Sequence, residues 1–148
     1  MFRRLADFCL GALGCVLFAL VLANPAAAAR LLVTIEGIRS SEGYVFVALF
    51  SKPQGFPDGD YSAQHAKVKA AAERLTIVFD NAVAGAYAVG AYHDENNNGK
   101  LDTNFFGYPI EGYALSNGVR AVTARPRFSE AAFQVGDRDT AVTLHIRY

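Results

Sequence analysis

Cysteine is almost missing from this chain. Its 148 residues include two cysteines, Cys9 and Cys15, and both lie in an N-terminal stretch that has the features of an export signal. Removal of that stretch would leave a chain without thiols, which excludes a disulfide framework and a cysteine nucleophile. The stability of the exported domain must then come from core packing.

An excess of charge of either sign is also missing, because 14 lysines and arginines balance 14 aspartates and glutamates. Nucleic-acid binding needs a concentrated basic footprint, so we expect no nucleic-acid partner. The chain has no Gly-x-Ser-x-Gly nucleophile elbow and no glycine-rich phosphate loop after a predicted strand. Its carboxylates are scattered rather than paired. These absences predict a protein that is not an enzyme.

The N-terminal stretch has three parts. Arg3 and Arg4 are followed by an apolar run from Phe8 to Leu22, and Ala26 to Ala29 supply small residues for a signal peptidase. The apolar run is too short to favour a transmembrane helix. We therefore predict an export signal and no stable membrane anchor.

The predicted signal peptide comprises residues 1–29, with cleavage near Ala29, and a single domain comprises residues 30–148. The 119 residues that remain are enough for one domain of ordinary size. The predicted location is the periplasm or the extracellular space. A lipoprotein would need Cys15 as its acylated residue, but the apolar run continues beyond Cys15, so we do not expect lipidation.

Period-two alternation dominates the predicted domain. At its C-terminal end Val142, Leu144, Ile146 and Tyr148 share one face, opposite Thr143, His145 and Arg147. This pattern predicts a half-buried antiparallel strand with an exposed His145. Similar signals predict strands near residues 31–36, 44–50, 75–80, 86–93 and 131–135. The fold class is therefore predicted as all-β, an antiparallel β-sandwich of about seven strands.

Three segments do not have a strand pattern. Residues 51–60 contain two prolines and two glycines, which predict a loop, and residues 61–73 favour a loop with a partial turn of helix. Residues 106–127 are predicted to be irregular. The aromatic residues Phe105, Phe106, Tyr108 and Tyr113 lie in and just before this last segment. We expect them to pack beneath the neighbouring loop rather than to form a ligand-contacting patch.

The polar stretch from Asp94 to Asp102 is the clearest motif. Oxygen-bearing side chains recur at Asp94, Asn96, Asn98 and Asp102, a spacing that matches positions 1, 3, 5 and 9 of a calcium loop. The carbonyl of Lys100 stands at the seventh position, but Phe105 replaces the usual glutamate at the twelfth. Glu111 is placed to complete the shell only if the intervening segment folds back. The predicted metal ligands are Asp94, Asn96, Asn98, Lys100, Asp102 and Glu111, and the predicted cofactor is Ca²⁺.

Two other interpretations of this stretch remain open. Asn, Asp and Gly form tight turns without any metal, so the stretch also suits a metal-free structural domain of the cell envelope. Alternatively, His93 precedes Asp94 directly, and His93, Asp94 and Glu111 together have the donor types of a transition-metal site in a metal-dependent enzyme.

The motif order resembles one exported bacterial family, the domain of unknown function 2141 family (DUF2141). The segments that carry the resemblance are residues 85–89, 93–104, 106–113, 116–117, 126–128 and 131–133. The Gly85-x-Tyr87-Ala88 turn also resembles transthyretin-like, carboxypeptidase-regulatory-like sandwiches. The resemblance implies a non-catalytic binding or accessory module, whose partner would be an unidentified envelope or extracellular protein or a glycan.

Overall fold

The computed structural model describes residues 29–120 and 124–148. Residues 1–28 of the predicted signal peptide lie outside the described residues. Within the described residues, no helix is long and apolar enough to cross a membrane.

Eight strands and one short helix make up the regular structure of the described residues. The strands are β1 (Ala29–Ile38), β2 (Tyr44–Phe50), β3 (Gln64–Lys69), β4 (Glu73–Ala82), β5 (Gly85–Asp94), β6 (Gly112–Leu115), β7 (Phe133–Val135) and β8 (Thr140–His145). The helix α1 (Phe128–Ala131) precedes β7, and single 3-10 turns occur at Gly59–Tyr61 and Ser116–Gly118.

The strands form two sheets, which confirms the predicted all-β sandwich. A three-stranded sheet has the order β4-β1-β8, and a five-stranded sheet has the order β3-β2-β5-β6, with β7 pairing to the start of β5. One pair departs from the antiparallel prediction, because β8 runs parallel to β1, from Leu31 opposite Thr140 to Glu36 opposite His145. These two strands are far apart in sequence, so the chain has ample length for the crossover that a parallel pair needs.

The main core lies between the sheets. Leu31, Val33 and Ile35 of β1 and Leu49 of β2 are fully buried, and Leu144 of β8 is nearly so. They belong to one contiguous apolar cluster drawn from both sheets. Each such side chain contributes about 1.5–3 kcal/mol on burial, so core packing is a main stabilising term in the described residues, which contain no cysteine.

The prediction of a loop with a helical turn at residues 61–73 is wrong, because β3 occupies most of that segment. Ala66 and Val68 pack against the core, whereas His65, Lys67 and Lys69 point outward. The helix-forming composition obscured this alternation. Pairing with β2 along its whole length overrides the local preference, as is common for strands.

The segment at residues 106–127 is also more regular than predicted, since it contains β6. This strand pairs with β5, with Gly112 opposite His93 and Leu115 opposite Gly90. This strand has four residues, which are too few to show an alternating pattern in the sequence.

A second, smaller apolar cluster covers part of the outer face of the five-stranded sheet. Phe50 and Ala88 on the sheet contact Phe56 from the β2–β3 connection and Ala131 from α1. The rings of Phe50 and Phe56 meet edge to face at 5.0 Å. Farther along this face the Lys67 ammonium lies over the rings of Tyr44 (4.3 Å) and Phe46 (4.9 Å), and the area around Ala48 and Gly90 is left uncovered.

Candidate binding groove and polar loop

The polar loop, residues Asp94–Asp102, begins where β5 ends. Asp94 lies opposite Tyr44 of β2 and is fully buried. Its two carboxylate oxygens accept hydrogen bonds from the backbone N–H groups of Asn98 (3.0 Å) and Gly99 (2.8 Å). The loop therefore closes on the first residue of the predicted calcium motif.

The turn before β2 also meets the loop at this point. Gly43 has a φ of +64°, and a Cβ atom there would lie 1.9 Å from the carbonyl oxygen of Asp94. Only glycine can hold this position without moving the backbone. The close approach fixes the start of the polar loop against the sheet.

The asparagines organise the middle of the loop. The side-chain oxygen of Asn96 accepts from the N–H of Asn98 (3.0 Å), and that of Asn98 accepts from the N–H of Lys100 (2.8 Å). Both amide groups donate to the carboxylate of Asp102, at 2.6 Å from Asn96 and 2.9 Å from Asn98. These contacts are successive side-chain-to-backbone turns of the kind that Asn and Asp favour.

Glu111 does fold back to the polar loop. Its side chain is 7 % exposed. One carboxylate oxygen accepts from the N–H of Glu95 (3.2 Å) and the other from the N–H of Asp102 (3.1 Å). Glu111 thus joins the two ends of the loop, at the place where the sequence required a distant residue to complete the motif.

The structure therefore brings five of the predicted ligands, all except the Lys100 carbonyl, into one hydrogen-bonded network. The carboxylates of Asp94, Asp102 and Glu111 each accept N–H groups in this network. Among residues 29–120 and 124–148, no group of three or more His, Cys, Asp or Glu side chains is arranged to hold a metal ion. The donor set has the oxygen chemistry that calcium prefers, but its oxygens face N–H groups.

His93 is not joined to Asp94 and Glu111. Its side chain is fully buried; Nδ1 contacts the Tyr148 hydroxyl at 2.5 Å, and Nε2 contacts the Glu42 carbonyl at 2.8 Å. The carbonyl can only accept, so Nε2 carries a proton and donates to it. Both ring nitrogens are thus engaged by groups other than the two carboxylates. His145, by contrast, is exposed as predicted and lies 3.3 Å from Glu36.

Charged and phenolic groups beside the loop are held in defined states. The guanidinium of Arg39 donates to the carboxylate of Glu95 and holds the pKa of that carboxyl below its usual range, helped by the Ser40 hydroxyl. Burial, reinforced by the carboxylates of Asp94 and Glu111, raises the pKa of Tyr92 to about 12. The Tyr92 hydroxyl therefore stays protonated and donates to the Gly99 carbonyl at 3.2 Å.

Tyr92 connects the polar loop to an open groove on the uncovered outer face of the five-stranded sheet. Ala48 and Gly90, directly paired on β2 and β5, form its floor. Phe46 and Tyr92 form one wall, and their rings stack at 4.9 Å with planes 1° apart. Leu115 lies on the other side. The groove has a volume of about 540 Å³, within the usual range for ligand sites.

Loops complete the rim of this groove. Pro57 and Asp60 come from the β2–β3 connection, Leu101 and Pro109 from the β5–β6 connection, and Pro126 from the segment before α1. His65 adds an imidazole beside the floor, since it lies opposite Ala48 on β3. The lining is mostly apolar, with a few polar groups at the edge.

Sequence reasoning missed the groove residues Phe46, Ala48, Gly90 and Tyr92. The available signal was that residues 44–50 are apolar on both faces, which requires a partner for the outer face as well as the inner one. The β2–β5 register, which places a stacked aromatic pair beside two small residues, could not be obtained from the sequence.

The aromatic turn, residues Thr103–Ile110, follows the polar loop directly. Phe105 is 97 % exposed and Phe106 80 %, and Tyr108 and Ile110 are also exposed. The expectation that these aromatic residues pack beneath the loop is therefore wrong for Phe105, Phe106 and Tyr108. Tyr113, by contrast, is half-buried on β6.

A model of the bacterial family described as "Uncharacterized protein conserved in bacteria (DUF2141)" matches residues 33–143. The match extends from β1 into β8 and includes the polar loop, the aromatic turn and the groove. No curated protein and no solved structure matches the chain.

Proposed function

The chain belongs to this DUF2141 family of bacterial proteins. We propose that it is an exported, non-catalytic binding module whose ligand site is the groove beside the polar loop. The groove itself is the observation that carries the proposal. A solvated sheet face ordinarily presents polar residues, whereas this one keeps a concave apolar surface next to water.

The shape of the groove indicates the kind of ligand that would fit. Ala48 and Gly90 let a ligand approach the strand backbone, and Phe46 and Tyr92 supply apolar and aromatic contact area beside them. His65 and Asp60 at the rim offer polar contacts. This combination suits a partly apolar ligand, such as the face of a glycan ring or the side chains of an extended peptide from an envelope or extracellular protein.

Filling the groove from its floor tests the proposal. In Ala48→Phe the new ring would occupy the space between Phe46 and Leu115, whereas Val78→Phe adds a ring to the exposed face of the other sheet. We expect a fluorescent anilinonaphthalene sulfonate probe to bind wild-type protein and Val78→Phe alike, and to bind Ala48→Phe at least about tenfold more weakly.

The probe titration is combined with circular dichroism melts of all three proteins, which verify that each is folded. Ala48→Leu replaces Ala48→Phe if the larger side chain prevents folding. Equal probe affinity for a folded groove-filled variant and wild type would remove the groove as the binding site.

We further propose that calcium stabilises the polar loop. The convergence of Asp94, Asn96, Asn98, Asp102 and Glu111 in one network supports this part of the proposal. Calcium binding would require the side-chain amides of Asn96 and Asn98 to rotate, so that their oxygens and the Asp102 carboxylate face one ion. A loop with this charge resembles weak extracellular sites, with a Kd of about 10⁻⁴–10⁻³ M.

A metal-free accessory domain is the competing interpretation, and one observation favours it. The three carboxylates of the loop already have N–H donors, so the loop is closed without any ion. The two interpretations differ in what they predict for stability in calcium.

Thermal melts in calcium and in chelator distinguish the two interpretations. At millimolar calcium, a site of the expected affinity would stabilise the protein by about 0.4–1.4 kcal/mol. Asp102→Asn should lose this response, whereas Asp139→Asn, a carboxylate change outside the loop, should retain it. An absence of any shift in wild type would leave the metal-free accessory domain, and an equal shift in Asp102→Asn would place the ion elsewhere.

A further inference from the structure

The aromatic turn presents apolar side chains to water on a rigid support. The side-chain oxygen of Asn104 accepts from the N–H groups of Phe106 (2.9 Å) and Tyr108 (3.1 Å). The backbone of Asn104 is bonded at both ends, donating to the Tyr108 carbonyl (2.8 Å) and accepting from Gly107 (2.9 Å). The two phenylalanine rings meet edge to face at 5.6 Å, as one wedge.

Most backbone donors of this turn are satisfied internally. The N–H groups of Asn104, Phe106, Gly107, Tyr108 and Ile110 all have partners within residues 102–110. Pro109 has no N–H. These internal hydrogen bonds lower the free-energy cost of moving the turn out of bulk water and into the interfacial region of a membrane.

Charged side chains flank the turn and are absent from it. The sequence from Thr103 to Ile110 contains no charged side chain. Lys100 precedes it, and Arg125 lines the same surface depression as Phe106 and Tyr108. Asp58 also lines this depression, whereas the carboxylates of Asp102 and Glu111 accept hydrogen bonds within the loop network. Exposed apolar rings, an adjacent tyrosine and flanking cations are features of segments that lie in a membrane interface.

We propose that the aromatic turn is a membrane-contact site, at which Phe105 and Phe106 enter the interfacial region of a phospholipid bilayer. Phe105 and Phe106 project from the surface, and a bilayer can receive projecting side chains without a preformed pocket. Two rings give weak, reversible association, which agrees with the prediction of no stable membrane anchor. The groove and the depression beside the turn share Pro57, Leu101, Pro109 and Pro126, so a membrane-bound protein would hold the groove close to the lipid surface.

The absence of tryptophan from the whole chain makes a local test available. Phe106→Trp places a single fluorophore in the turn, and Val83→Trp places one at an exposed position (73 %) in the β4–β5 connection. The exported protein is mixed with vesicles of phosphatidylethanolamine and phosphatidylglycerol. We expect the emission of Phe106→Trp to shift to the blue and to be quenched by lipids with brominated acyl chains, and that of Val83→Trp to remain unchanged.

Vesicle co-sedimentation supplies an independent measurement. Phe105→Ser combined with Phe106→Ser should lower the vesicle partition coefficient by about tenfold or more, whereas Val78→Ser combined with Val83→Ser should leave it unchanged. All three proteins share one N-terminus, verified by mass spectrometry, so that end cannot cause a difference.

Three results would overturn the proposal. They are equal responses of the two tryptophan variants, equal partitioning of the phenylalanine double variant and wild type, and a dimer of wild type that the double variant converts to monomer without any vesicle binding. The last result would assign the turn to self-association.

Discussion

The outer faces of the two sheets have opposite characters. On the three-stranded sheet Thr34 contacts Thr76 across β1 and β4, and Glu36 pairs with Arg74 and His145. On the five-stranded sheet, the corresponding surface is a stacked aromatic pair beside two small residues. The first face follows the rule for a solvated sheet, and the second departs from it, which is why we propose the ligand site on the second.

The two faces also use carboxylates differently. Glu111, at the start of the edge strand β6, is buried and holds two backbone N–H groups. Glu36 on the smaller sheet pairs with partners that are 67 % and 63 % exposed. Exposed ion pairs contribute little because water screens them, whereas removal of a buried acceptor leaves unpaired donors.

The largest effect should therefore come from Glu111→Ala. Loss of its carboxylate leaves the N–H groups of Glu95 and Asp102 without an acceptor, which should lower the free energy of unfolding by about 2–4 kcal/mol. Glu36→Ala should lower it by less than about 1 kcal/mol. Urea unfolding followed by circular dichroism measures both values, and equal losses would contradict the contrast between the two sheets.

The smallest effect should come from Asp139→Asn, at the start of β8. The Arg30 guanidinium donates to Asp139 and holds the pKa of that carboxyl below its usual value. A depressed pKa contributes stability that is present above the unfolded-state pKa, about 3.9, and is lost as the pH falls through the folded-state pKa.

Asp139→Asn should accordingly change stability little at neutral pH and flatten the decline of stability below about pH 4. Urea unfolding at neutral pH and near pH 3 measures the difference, with wild type as the reference. A large loss at neutral pH would mean that this pair matters more than its exposure allows.

The strands that were predicted correctly share a strong local signal. β1, β2, β4, β5 and β8 alternate or are continuously apolar over about five residues or more. β3 and β6 were missed because alanine and lysine carry no clear strand preference and because a short strand shows too little period. In both cases pairing with a neighbouring strand decided the structure.

The polar loop could be found from spacing alone, because its turns are made by residues close in sequence. The return of Glu111 could only be stated as a condition, since it depends on the path of the aromatic turn. The exposure of Phe105 and Phe106 contradicted the general expectation that aromatic rings are buried. The groove required the register between two strands, which no local pattern contains.

Because β1 and β8 run parallel, Ala29 and Tyr148 lie at opposite ends of the sandwich, which matters when a fusion partner is joined to the domain. Ala29 pairs with Ala82 at one end of the sandwich, whereas Tyr148 contacts His93 and Arg39 at the other end, beside the polar loop. The ten residues of β5 separate these ends by about 30 Å. A fusion partner or solid support joined at Ala29 would thus leave the polar loop and the aromatic turn facing outward, and one joined at Tyr148 would crowd them.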